Sequence, residues 1–228
     1  MSIRDDIDQY VGHFREQNQG IAAIAHPMFR KVLYLVEIDT LSRAAFPKVS
    51  GNRKRVVQFI DTCSAWNDKD RVSAVQLKLA LEENGILSGK LYDFVERRIG
   101  SWPYGQIIRP DNDLLFGEVL QQSTQAEHKY VNNSRYAELL YTYRSHLVHE
   151  FREPGRGMDL GDDLLPAPYY LGMDRPREGE SSMEFVFPVH FIRMLCEDCV
   201  NGLESYLSSK GVSPYDAYEF ETMWRRSR

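Results

Sequence analysis

The 228 residues are 43% hydrophobic and 27% charged, with 13 tyrosines and 11 phenylalanines, a composition that supports a packed core and excludes a disordered chain. A formal net charge of −5 excludes a protein that coats nucleic acid by bulk positive charge, and confines any such contact to local clusters such as Arg53-Lys54-Arg55 or Arg97-Arg98. Three cysteines give no disulfide framework, no apolar run approaches the roughly 20 residues of a membrane span, and the polar, acidic start is unlike a signal peptide. A cytoplasmic protein of one domain, residues 1–228, is expected.

In chain order, Ile3, Ile7, Tyr10, Val11 and Phe14 recur at helical spacing, with Asp5 and Asp6 in the favoured first turn, and predict a helix over 2–18. Pro27 suits a first helical position and opens an apolar run from Phe29 to Phe46, closed by Pro47. That helix is apolar on nearly all sides, which predicts a place in the middle of the fold. Further helices are expected over 53–66, 70–83 with Gly85 as the C-terminal cap, 87–99 and 114–122, with turns at 101–105 and 110–113. Ser134 reads as the N-cap of a helix running to Glu153, stopped by Pro154-Gly155. Two short β-prone runs, 169–173 and 183–189, predict a hairpin within an insertion over 155–187, followed by a last helix over 189–208. The fold class is therefore all-α, a helical bundle with a small β-hairpin insertion.

The helix over 134–153 carries the most chemistry. Tyr136, Leu140, Tyr143, Leu147 and Phe151 form one stripe, the face expected to be buried. On an ideal helix Arg144 lies about 60° from the centre of that stripe, while Ser145 and His149 lie about 160° away. Histidine exchanges protons near neutrality, and arginine presents a permanently charged fork suited to phosphate oxygens. Together they can serve phosphodiester cleavage by a ribose 2′-hydroxyl, which needs proton transfer and stabilisation of a pentavalent dianion and need not use a metal.

The segment Arg144-Ser145-His146-Leu147-Val148-His149 resembles the Arg-x4-6-His motif of the HEPN superfamily, in which a polar residue usually follows the arginine, as Ser145 does here. The resemblance implies a HEPN-like helical bundle and a metal-independent endoribonuclease without cofactor. It implies a homodimer whose two motif helices face each other across a cleft, with Arg144, Ser145 and His149 catalytic. A second protomer also answers the geometry, since Arg144 and His149 stand about 140° apart on one helix. A toxin or defence effector is implied too, with RNA as substrate and a cognate antitoxin or regulatory protein as partner. HEPN toxins often carry Tyr two residues after the histidine; this chain has Phe151, so modification of that hydroxyl is unavailable. Family sites often receive a carboxylate from an earlier helix, for which Glu37 and Asp39 are the candidates. Charges in so apolar a helix need a partner, and an arginine, Arg144 included, is the expected one.

Other readings stay open. A catalytically silent HEPN-like module could bind a protein or nucleotide through the same cleft, and a two-position motif also arises by chance in helical proteins. His146, about 100° from the core stripe, is a rim residue with at most a supporting role. Cys196-Glu197-Asp198-Cys199 lacks a second pair and reads as buried cysteines rather than a metal or redox site. The insertion over 155–187 follows the motif helix directly and is expected to gate or extend the cleft.

Overall fold

The computed structural model of the chain describes residues 2–103, 106–155, 157, 159, 166–175 and 180–217. It is mostly helical, with two small two-stranded antiparallel sheets.

Helix α1, Ile3–Ala22, begins on a capping box in which the Ser2 hydroxyl accepts from the Asp5 amide and the Asp5 carboxylate accepts from the Ser2 amide. It runs past the expected stop at residue 18, because Asn18 and Ile21 are buried against neighbouring helices and propagation costs little once a helix is nucleated. Helix α2, Pro27–Ala45, starts on its proline as expected, and α3 spans Asn52–Cys63. A 3-10 turn at Asn67–Asp70 leads to β1, Arg71–Val72, and α4, Ala74–Glu83. This helix begins four residues later than expected, because Ser73 caps it by accepting from the Gln76 amide at 3.1 Å.

Helix α5, Lys90–Gly100, is followed by β2, Leu114–Leu115, which pairs with β1, and by α6, Phe116–Gln122. A short helix, α7 at His128–Asn133, was not anticipated, and it moves the start of the motif helix. Ser134 closes α7 instead of capping the next helix, and α8 runs Tyr136–Glu150. Strands β3, Tyr169–Arg175, and β4, Glu180–Val186, form the expected hairpin with Tyr169 opposite Val186, and α9, Val189–Lys210, ends on a left-handed Gly211. The tail beyond residue 217 lies outside the described residues.

Helices α1, α2, α3, α8 and α9 share one hydrophobic core, to which Phe187, directly after β4, is added. Helix α9 packs on α1, α2 and α3, and comes so close to the end of α3 that a β-carbon at Gly202 would lie 1.8 Å from the Cys63 carbonyl oxygen. A second cluster, Val72, Leu77, Leu81, Leu91, Val95 and Val119 among others, is built by the short helices between α3 and α8. Asp113 joins the two. Its Oδ1 accepts the Ala74 and Leu114 amides, and its Oδ2 accepts the hydroxyls of Tyr136 at 2.8 Å and Tyr170 at 2.6 Å, so α4, α8 and the hairpin meet on one buried carboxylate.

Helix α2 is central, packing against α1, α3, α8 and α9, but one of its faces stays open: Phe29, Leu33 and Val36 are 43%, 40% and 38% exposed. Among the described residues no helix is long and apolar enough to cross a membrane.

Candidate functional site

Helix α8 places its residues on three faces. Tyr136, Ala137, Leu140, Tyr143 and Leu147 are buried in the core, as their spacing requires. Phe151 departs from the expected stripe. It is the C-cap of α8 in the left-handed conformation, φ 57°, and is 56% exposed. The chain turns at this residue, three positions before Pro154-Gly155, so the ring is swung out of the core and packs against Phe29 with centroids 5.8 Å apart.

Arg144 sits at the border between the faces and is 8% exposed. Its Nη2 donates to Asp39 Oδ2 at 2.5 Å, while Asp39 Oδ1 accepts from Arg55 Nη2 at 3.2 Å. Arg55 is held in turn by Ser42 Oγ at 3.1 Å and Asn52 Oδ1 at 3.0 Å. One carboxylate thus joins two guanidinium groups from α3 and α8, a trio with one net positive charge. Arg144 Nε is buried and makes no hydrogen bond. The tip of this arginine is fixed while part of its donor capacity remains unused.

Ser145 is half-buried and His149 is exposed at the last turn of α8. Among the described residues His149 has no hydrogen-bond partner, so its ring is open to solvent. His146 points elsewhere: its Nδ1 lies 2.8 Å from Glu150 Oε1, and Glu150 also pairs with Arg152.

The two carboxylates of α2 part company. Two residues on a helix are about 200° apart, so Asp39 reaches Arg144 while Glu37 faces α1 and α9. There Glu37 accepts from Asn18 Nδ2 at 3.0 Å and from the Cys196 thiol. Burial pushes its carboxyl up to about 7, against the smaller opposing pull of the two hydrogen bonds. Cys196 and Cys199 are both buried free thiols whose titration burial raises, in keeping with a packing role.

Sequence reasoning missed Lys31. This lysine is fully buried within the apolar run of α2, and its Nζ lies 3.1 Å from each of Tyr143 Oη, Glu153 Oε1 and Asp159 Oδ2. Asp159 also accepts the first amide of α9, from Val189 at 2.8 Å, so the lysine ties the segment after the motif helix to α2 and α9. A single lysine in an apolar run carried the only available signal, since its partners lie more than a hundred residues away.

The described part of the insertion packs against α8. Its Phe185 packs on Tyr136 and its Phe187 on Tyr143, which places the hairpin on the core-facing side of α8. There it closes a cavity of about 220 Å³ together with Gln76 and Thr142.

Comparison of the chain with protein-family models, with curated proteins and with solved structures finds no match.

Proposed function

We propose that the chain is a metal-independent endoribonuclease of HEPN type that works as a homodimer. The observation that carries this reading is the pairing of Arg144 with Asp39. It holds the motif arginine in place, shares its counter-charge with Arg55 and leaves one net positive charge on the trio against the helix that presents an exposed His149. An immobilised guanidinium suits the developing charge of a phosphorane, and an exposed imidazole suits proton transfer.

In the proposed reaction the ribose 2′-oxygen forms a bond to the adjacent phosphorus and loses its proton to a base. The bond to the 5′-oxygen breaks, and that oxygen takes a proton from an acid. His149 fills one of these roles and its copy in the second protomer the other; Arg144 stabilises the dianion and Ser145 orients either group. The dimer is supported by an exposed aromatic patch that includes Phe151, two residues after His149, where His26 stacks on Phe29 at 4.7 Å and Phe29 meets Phe151. A toxin or defence role with an antitoxin partner is an extension of this proposal.

A second reading has its own observation. Arg144 is nearly covered and engaged with Asp39, as a structural ion pair would be, which favours a silent module that binds a protein or nucleotide through the same surface. The products separate the two. Incubation of single-stranded RNA in excess chelator is expected to yield 2′,3′-cyclic phosphate and 5′-hydroxyl ends, and a strand with 2′-deoxyribose at the cleaved position is expected to survive. Cleavage of the deoxy-substituted strand at the same position would rule out the 2′-hydroxyl mechanism, and intact RNA would favour the binding module.

A further inference from the structure

Tyr141 stands one turn before Ser145 and two turns before His149 on the outward side of α8. Two guanidinium groups flank its ring, Arg144 from the same helix at 5.9 Å from the centroid and Arg53 from α3 at 5.8 Å. Both distances fall at the outer limit of the ~6 Å cation–π range, and the ring itself is half-buried. The tyrosine hydroxyl makes no hydrogen bond among the described residues, so no polar contact commits its outer edge.

Arg53 joins this ring to a surface depression of about 570 Å³ lined by Gly51, Lys54, Gln58, Asn133 and Glu138 along with Arg53 itself. The charges there are unevenly paired. Arg53 pairs with Glu138 at 2.5 Å, while Lys54 has no carboxylate partner among the described residues, and Arg144 and Arg55 nearby share the single carboxylate of Asp39. Asp61, also in the lining, pairs with Arg135 at 2.9 Å, an arginine it shares with Asp70. Arg53, Lys54 and Arg144 thus lie near one aromatic ring, with Lys54 left unpaired among the described residues.

We infer that Tyr141, bordered by Arg53 and Arg144, is a stacking platform for a base of single-stranded RNA, with the Arg53–Lys54 depression holding the phosphates on one side of it. Aromatic rings take any base through its π-face, arginines add cation–π and phosphate contacts, and an unpaired strand exposes both. With a rise of 1.5 Å per residue, Tyr141 lies about 12 Å along α8 from His149. That span corresponds to about two nucleotides of extended backbone, which sets the stacked base at a short, fixed distance from the proposed cleavage point. The platform rests on the ribonuclease reading for this register, but strand binding itself does not.

The test is the fluorescence anisotropy of a labelled, fully 2′-O-methylated 12-nucleotide RNA, which cannot be cleaved by its own 2′-hydroxyls, titrated with the full-length protein. Tyr141→Ala is expected to weaken binding about tenfold or more and Tyr141→Phe to preserve it, because the ring and not the hydroxyl does the stacking. Arg53→Ala is expected to lower the slope of log affinity against log salt by about one, and a duplex of the same sequence to bind more weakly because its bases are already stacked. Absence of wild-type binding, equal binding by wild type and Tyr141→Ala, or equal binding of duplex and single strand would each overturn the platform. The cleavage reading fails separately: a wild type that binds through Tyr141 but leaves cleavable RNA intact keeps the platform and loses the enzyme. A wild type that cleaves no better than Tyr141→Ala, with equal affinities, keeps the enzyme and loses the platform.

Discussion

Asp39 and Arg144 are 105 residues apart in the chain and meet at 2.5 Å, with Arg55 on the other oxygen of the same carboxylate. The carboxylate therefore separates two like charges as well as pairing with each. Asp39→Ala leaves both guanidinium groups facing one another, and removal of one partner from a largely buried pair costs about 3–5 kcal/mol. With side-chain exposures of 10% and 18% the lower end is expected. Urea denaturation checks this, and an unchanged midpoint would mean that solvent already screens the trio.

Glu37 predicts a pH dependence with a definite sign. Its folded carboxyl titrates near 7, raised from 4.5, so between those values the folded state holds a proton that the unfolded chain releases. The corresponding stability is present below about pH 4.5 and is lost as pH rises through about 7. The difference is on the order of 3 kcal/mol. Glu37→Gln keeps the acceptor for Asn18 and is expected to flatten this fall in chemical denaturation midpoints measured from pH 4.5 to 7.5. A wild type and variant with parallel profiles would show that the carboxyl is not desolvated.

The crossing of α9 over the end of α3 depends on having no side chain at position 202. The Cys63 carbonyl is backbone and cannot swing away, so Gly202→Ala has to separate the helices. A loss of about 3 kcal/mol is expected, at the upper end of overpacking costs. Thermal melts check it; a melting temperature within a degree or two of wild type would contradict so close a contact.

Long periodic segments were legible in the sequence because burial writes itself into a 3.6-residue pattern, as in α1, α3 and α9, and the hairpin strands showed in their aromatic and β-branched runs. The losses lie where local signals compete. Ser73 with Gln76 three residues on has the form of a capping box, yet the polar run before it extended the helix pattern backwards. Ser134 carries the chemistry of an N-cap but is used to end α7, because the short helix ahead of it has too few residues to show a period. Phe151 matches the apolar stripe in spacing, and its left-handed backbone takes it out of register. The carboxylate partner of Arg144 could be named as one of two, Glu37 or Asp39, and the 200° between them decides which reaches it. Lys31 and Asp113 owe their burial to partners distant in the chain, which no local pattern encodes.

The aromatic patch at the end of α8 makes a prediction about assembly. Phe29 and Phe151 are both large, exposed and in contact, and a second protomer covering them brings the two copies of α8 together. Phe29→Ser with Phe151→Ser is expected to convert a dimer into a monomer in sedimentation equilibrium at micromolar protein. A wild type that sediments as a monomer at those concentrations would remove the composite site.

The proposed chemistry is tested most directly by RNA cleavage in excess chelator with wild type, Arg144→Ala and His149→Ala proteins prepared in parallel. His149 is exposed and unpaired among the described residues, so its alanine variant should fold as wild type does. Wild type is expected to cleave, and each variant to lose about a hundredfold or more, the scale of general acid–base and electrostatic contributions. Equal activity in all three proteins, or none in wild type, would contradict the assignment of Arg144 and His149 to catalysis.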